Sequence, residues 1–174
     1  MLKKVLIGFL IFISALLLTA FFLPRSYTVT NSETIGASPD SVLQFVRMLD
    51  NQTRYSEWVL QDPNLKPQIS GEDGTIGARQ SWDSEVAGSG HQTITAISPG
   101  EITMDIVFIR PFAGGANVVY KVVDSGNGTA TLSTVFSTSA PWPMNLISYT
   151  IGRSMITATQ QKSLENVRRL IEGS

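Results

Sequence analysis

In the stretch Ile102-Thr103-Met104-Asp105-Ile106-Val107-Phe108-Ile109, Ile102, Met104, Ile106 and Phe108 fall on one face of an extended chain, and Thr103 and Asp105 fall on the other. This period of two belongs to a β-strand with one buried face; a helix would scatter the four apolar side chains around its circumference. Glycine-containing segments punctuate the chain on both sides: Gly71-Glu72-Asp73-Gly74, Gly88-Ser89-Gly90, Pro99-Gly100, Gly114-Gly115 and Gly126-Asn127-Gly128. Read as turns, they predict a series of antiparallel strands from Lys66 to Thr138. Val118, Tyr120 and Val122 oppose Lys121 in the next strand. From Thr129 to Ser137 the pattern allows either the Leu132/Phe136 face or the Ser133/Val135 face to point inward.

Upstream, Tyr27, Val29 and Asn31 alternate with Thr28, Thr30 and Ser32, which predicts a first strand continuing to Ile35. Ala37-Ser38-Pro39-Asp40 then supplies an N-cap serine, a proline for the first helical position and an acid for the first turn. Val42, Phe45, Val46 and Leu49 follow at helical spacing. Asp50 to Trp58 reads as a second short helix, ended by Asp62-Pro63-Asn64. Downstream of Ala140-Pro141-Trp142-Pro143, a long helix is expected from Met144 to about Glu172, with Gly152 its one weak point. Ile156, Leu164, Val167, Leu170 and Ile171 share one side of it, together with Gln160 and Ser163.

At the N-terminus, Lys3 and Lys4 precede an uncharged run of 19 residues from Val5 to Leu23, of which 14 are Val, Leu, Ile or Phe. As a helix it is about 28 Å long, close to the hydrocarbon thickness of a bilayer. It exceeds the usual h-region of a signal peptide and ends on the poor cleavage sequence Leu18-Thr19-Ala20, so a retained anchor is expected in residues 1–25 and one domain in residues 26–174. The basic residues place the N-terminus in the cytoplasm and the domain on the periplasmic or extracellular side. All 14 acidic residues but only 10 of the 13 basic ones follow Arg25, a formal charge of −4 that argues against nucleic acid as a partner. With no Cys and a single His, disulfides, thiolate metal sites and a His-rich metal centre are excluded, and no cofactor is expected.

The predicted order is a strand, two short helices, a six-strand meander and a long terminal helix. It is that of an α+β helix-grip domain, in which a curved antiparallel sheet of about seven strands packs on the C-terminal helix. In Ala37-Ser38-Pro39-Asp40-Ser41-Val42, Tyr55-Ser56-Glu57-Trp58, Asp62-Pro63-Asn64-Leu65-Lys66, Gly77-Ala78-Arg79-Gln80-Ser81-Trp82, Gly88-Ser89-Gly90, Phe108-Ile109-Arg110-Pro111-Phe112 and Pro141-Trp142-Pro143-Met144-Asn145, the chain resembles the START-like (SRPBCC) superfamily. It is most similar to the membrane-anchored bacterial branch of the polyketide cyclase/dehydrase and lipid-transport group. It departs from the pattern at Glu57, where the family often has Pro, and at Ser163, where Gly is common. The resemblance implies a cavity between sheet and terminal helix that takes a hydrophobic small molecule or lipid.

Inward residues near that helix are the candidate ligand-binding set. Trp82, Ile94, Met104, Ile106, Phe108 and Tyr120 are expected in the wall, and Trp58, Trp142, Met144 and Met155 at the mouth. Gln80, Gln92 and Gln160 also point inward, and each amide needs a partner from a ligand head group, another glutamine, water or backbone. No catalytic constellation is legible. Asp83, Glu85 and Glu101 belong to turns and solvent, and His91 is expected to be exposed. The competing readings are a cyclase- or hydrolase-type enzyme using His91, Tyr120 or an acid, and an interaction module with a filled core.

Overall fold

The computed structural model describes residues 1–173; Ser174, the last residue of the expected domain, lies outside the described residues. Seven strands form one antiparallel sheet: β1 (Ser26–Ile35), β2 (Gln68–Ser70), β3 (Arg79–Ser84), β4 (Gly88–Ser98), β5 (Glu101–Arg110), β6 (Gly114–Gly126) and β7 (Thr129–Ser139). Their order across the sheet is β1-β7-β6-β5-β4-β3-β2, so β2 to β7 make a meander that β1 closes by pairing with β7, Val29 opposite Phe136. The helices are α1 (Leu2–Phe22), α2 (Pro39–Arg47), α3 (Gln52–Tyr55), α4 (Glu57–Leu60), α5 (Asn145–Ile147) and α6 (Arg153–Glu172).

The expected N-cap of α2 is present: Ser38 Oγ accepts the Ser41 N–H at 3.3 Å, with Pro39 in the first turn. The single helix expected over Asp50–Trp58 is instead a 3₁₀ turn (Leu49–Asn51) followed by α3 and α4. This break turns Gln52 and Tyr55 inward while Asp50 stays exposed. Gly88-Ser89-Gly90 and Gly114-Gly115 are not turns but the opening residues of β4 and β6. Gly90 is needed there because a Cβ would come within 2.7 Å of the Trp82 ring. In β7 the open choice falls to the Leu132/Phe136 face, with Ala130, Leu132, Thr134 and Phe136 buried.

One half of the concave face is filled solid. Ile94, Ile102, Met104 and Leu132 of the sheet meet Val42, Val46 and Leu49 of the α2 region and Leu164 and Val167 of α6. Each large side chain buried here stabilises the fold by about 1.5 to 3 kcal/mol. Polar side chains hold α6 across β1. Glu33 takes Arg168 in an ion pair and accepts Gln161 Nε2 at 3.1 Å, while Asn31 Nδ2 donates to Gln161 Oε1 at 3.1 Å. Ser163 Oγ accepts the Glu57 N–H at 2.9 Å, and Asn166 Nδ2 donates to the Tyr55 carbonyl at 3.0 Å. The Ser163 that departs from the family pattern thus ties α6 to the start of α4. Gly173, at φ 71°, ends α6 in the left-handed conformation.

The long terminal helix is continuous in path but not in type: between α5 and α6, Ser148–Gly152 form a π turn that ends on the expected weak point. At the other end of the chain, α1 is 21 residues long and apolar enough to cross a membrane by length and composition. Its apolar side chains stay largely exposed, except where Ala20 is covered.

Candidate functional site

The other half of the concave face is open, enclosing a cavity of about 780 Å³ between sheet, α3, α4 and the terminal helix. Strand register locates its floor. On β4 Gln92 lines the cavity, whereas Ile94, two residues on, is fully buried in the packed core. On β5 Ile106 and Phe108 line it, whereas Met104 belongs to the core. The filled half therefore supplies the floor. The mouth lies at the opposite end, where the loop joining β5 and β6 (Pro111, Phe112, Ala113) faces Trp58 of α4 and Met144, Ile147 and Ile151 of the terminal helix.

Among the thirteen candidate positions, Trp82, Ile106, Phe108 and Tyr120 form wall, and Trp58, Met144 and Met155 sit toward the mouth. Gln80, Gln92 and Gln160 reach the cavity as well. Three positions lie elsewhere. Ile94 and Met104 are displaced by depth along their strands: they share the correct face but sit below the floor. Trp142 is outside the lining: its indole Nε1 donates to the Leu17 carbonyl of α1 at 3.3 Å, and the residue is 44% exposed. His91 points to the opposite sheet face from Gln92, as strand alternation requires.

The inward glutamines bond mainly to one another. Gln92 Nε2 donates to Gln80 Oε1 at 2.7 Å and to Gln52 Oε1, and Gln80 Nε2 donates to the Leu49 carbonyl at 2.8 Å. Gln160 Oε1 accepts the Thr134 hydroxyl at 3.0 Å. Gln52 and Tyr55, which complete this end of the cavity, escaped the sequence reading. Their signal was a polar-aromatic stretch with no period, and only the break before α3 aims them inward.

Burial pushes the Tyr55 phenol well above the ordinary tyrosine value, with Tyr120 beside it adding to the shift; burial likewise raises Tyr120. Both are neutral donors at physiological pH. Since the folded values lie above the unfolded ones, their contribution to stability is intact below about pH 10 and is lost as pH rises through the folded values. Denaturant melts taken from about pH 8 to 11 should show Tyr55→Phe flattening the alkaline decline, and an unaltered slope would contradict the assignment. At the rim, Asp62 accepts the Ser84 hydroxyl at 2.6 Å and the Asn64 N–H at 3.0 Å, which holds its carboxyl below the usual range and fixes the loop after α4 against β3.

The last element of the site is the end of α1. Asn145, 1% exposed, donates from Nδ2 to the carbonyls of Ala20 (2.7 Å) and Leu23 (3.1 Å), and the Ala140 N–H donates to the Arg25 carbonyl at 2.7 Å. The mouth and the base of α1 are thus one hydrogen-bonded unit.

The architecture is shared with solved structures of low sequence identity. Norcoclaurine synthase from Thalictrum flavum, in complex with dopamine and hydroxybenzaldehyde, superposes with a TM-score of 0.64 at 11% identity, covering 85% of this chain and 87% of that one. Protein CV1439 from Chromobacterium violaceum gives 0.62 at 15% identity over 86% and 99% of the two chains. Ara h 8.0201 gives 0.60 at 12% identity over 86% and 99%. Among curated proteins no sequence matches. The polyketide cyclase/dehydrase and lipid transport family matches residues 26–172, the whole sheet and the terminal helix, and the chain belongs to that family.

Proposed function

We propose that this chain is a membrane-anchored binding protein: residues 26–174 hold one hydrophobic small molecule or lipid in the cavity, and α1 spans the membrane. The N-terminus is cytoplasmic and the domain lies on the periplasmic or extracellular side. The reading is carried by the cavity, whose volume of about 780 Å³ lies within the range of sites that enclose a small ligand. Its walls are Trp82, Ile106, Phe108, Val118 and Phe136, so an apolar guest gains about 25 cal/mol for each Å² it removes from water. Phe112, Ile147, Ile151 and Met155 are exposed at or near the mouth, and the mouth is tied to the end of α1 through Asn145. An apolar rim held beside an inserted helix faces the bilayer, where apolar ligands are concentrated. Among the described residues the lining carries no Lys, His, Asp or Glu, and its phenols, Tyr55 and Tyr120, are held neutral by burial.

The test is native mass spectrometry of the detergent-purified full chain. One small molecule per protein is expected, and it should be lost when Ile106→Trp and Gln160→Trp together fill the cavity while the fold remains intact. Bulk lipid at no fixed stoichiometry, or equal retention by the filled variant, would rule the reading out.

A further inference from the structure

The geometry points to a second contact with the bilayer: the cavity mouth is itself immersed in the membrane surface, so that lipid of the leaflet on the domain's side covers Phe112, Trp142, Ile147 and Ile151. This rests on the reading above that α1 spans the membrane, and deepens it. Depth decides the matter. The uncharged run from Val5 to Leu23 has 19 residues, about 28 Å as a helix, against a hydrocarbon layer of about 30 Å. It has no excess length. Raising its last two turns into water would draw Lys3 and Lys4 toward the hydrocarbon. The domain grips α1 within those turns. Trp142 Nε1 donates to the Leu17 carbonyl at 3.3 Å, and Asn145 Nδ2 donates to the carbonyls of Ala20 and Leu23 at 2.7 and 3.1 Å. Leu17 stands about 9 Å of helix before Leu23, so the indole bonded to it lies below the level at which α1 leaves the hydrocarbon.

The chemistry of the rim fits that depth. From Pro111 to Tyr120, and from Pro141 to Gly152, no side chain is charged. Phe112, Trp142, Ile147 and Ile151 are exposed within these stretches, an apolar surface that is costly in water and at no cost among acyl chains. Arginines stand at the borders. Arg25 follows α1, Arg110 precedes the β5–β6 loop and pairs with Asp83, and Arg153 follows Gly152 and lies over the Tyr149 ring at 5.6 Å. Trp and Tyr favour the level where acyl chains meet headgroups, and Arg reaches from it toward phosphate and water. A guest then passes between leaflet and cavity without crossing water.

With no native Cys, one introduced Cys carries a nitroxide label at one known place. The full chain is reconstituted in vesicles of phosphatidylcholine and phosphatidylglycerol, and relaxation of the label by oxygen, which concentrates in lipid, is compared with relaxation by a polar nickel chelate, which stays in water. Phe112→Cys, Ile147→Cys and Ile151→Cys report the rim. Leu10→Cys reports the middle of α1, and Val123→Cys, exposed on β6 at the end away from the mouth, reports water. The oxygen-to-nickel ratio at the three rim positions is expected to exceed that at Val123 roughly tenfold or more. Nickel reaching the rim as freely as Val123 while Leu10 stays protected overturns the immersion and leaves the anchor standing. Protection of the rim from both reagents means that protein covers it, and overturns the immersion equally. Nickel reaching Leu10 overturns the spanning reading beneath it.

Discussion

Gly88→Ala is expected to lower the melting temperature by roughly 6 to 12 °C, the equivalent of about 3 kcal/mol in a chain of this size. Two penalties act together. Gly88 sits at φ 71°, where a side chain costs roughly 1 to 2 kcal/mol. A methyl there would also overlap the Arg110 carbonyl oxygen and press on Pro111 Cδ at 3.1 Å, adding the cost of moving backbone at the cavity mouth. Gly128→Ala is the control. It shares the positive φ (75°) but meets nothing within 4 Å, so it should cost only the conformational part, about 1 kcal/mol. Equal melting temperatures for the two variants would show that the close approach of β4 to Arg110 is not tight.

Asn145→Leu is expected to speed trypsin cleavage after Arg25 by roughly 30-fold while leaving the melting temperature of the domain near the parent's. The Asn145 amide group satisfies two carbonyls at the end of α1, and its loss leaves that of Ala20 buried and unpaired and that of Leu23 half-buried and unpaired. Part of that cost is offset because Asn145 Oδ1 is itself buried without a partner and disappears in the variant. A net weakening of about 2 kcal/mol in local closure raises the open population roughly 30-fold, and proteolysis follows that population when reclosing is fast. Timed digestion of the full chain in detergent reads this directly. Identical cleavage rates would mean that Asn145 does not hold α1 to the mouth.

Much of the fold was legible because its signals are local. The period of two in Ile102–Ile109 and the Ser38-Pro39 helix start depend on residues adjacent in sequence, and both recur in the structure. One glycine pair misled for a physical reason: Gly88 and Gly90 serve close backbone approach inside a strand end, which sequence alone does not distinguish from a turn. The cavity residues were legible as to face but not as to depth. Alternation assigned Ile94 and Gln92 to the same side, yet only packing against α2 and α6 determines that the first is core and the second is floor. Trp142 shows the same limit differently, since its partner is the Leu17 carbonyl, 125 residues away. Gln52 and Tyr55 were missed because the kink that aims them lies in irregular helical turns, where no period exists to read.

The wide turn at Ser148–Gly152 explains how one rod can wall a chamber along so much of its length. Met144, Ser148, Gly152, Ile156, Gln160 and Leu164 all line the hollow, each four positions beyond the last. In a uniform α spiral every such step overshoots a full revolution by about 40°, so five steps would carry the final side chain around to the far flank. A π turn absorbs one surplus residue and winds back about 100° of that drift. The irregularity thus acts as a phase correction that halves the drift, so that one flank of the rod, with Ile147, Ile151 and Met155 beside that series, stays turned toward the guest from doorway to base.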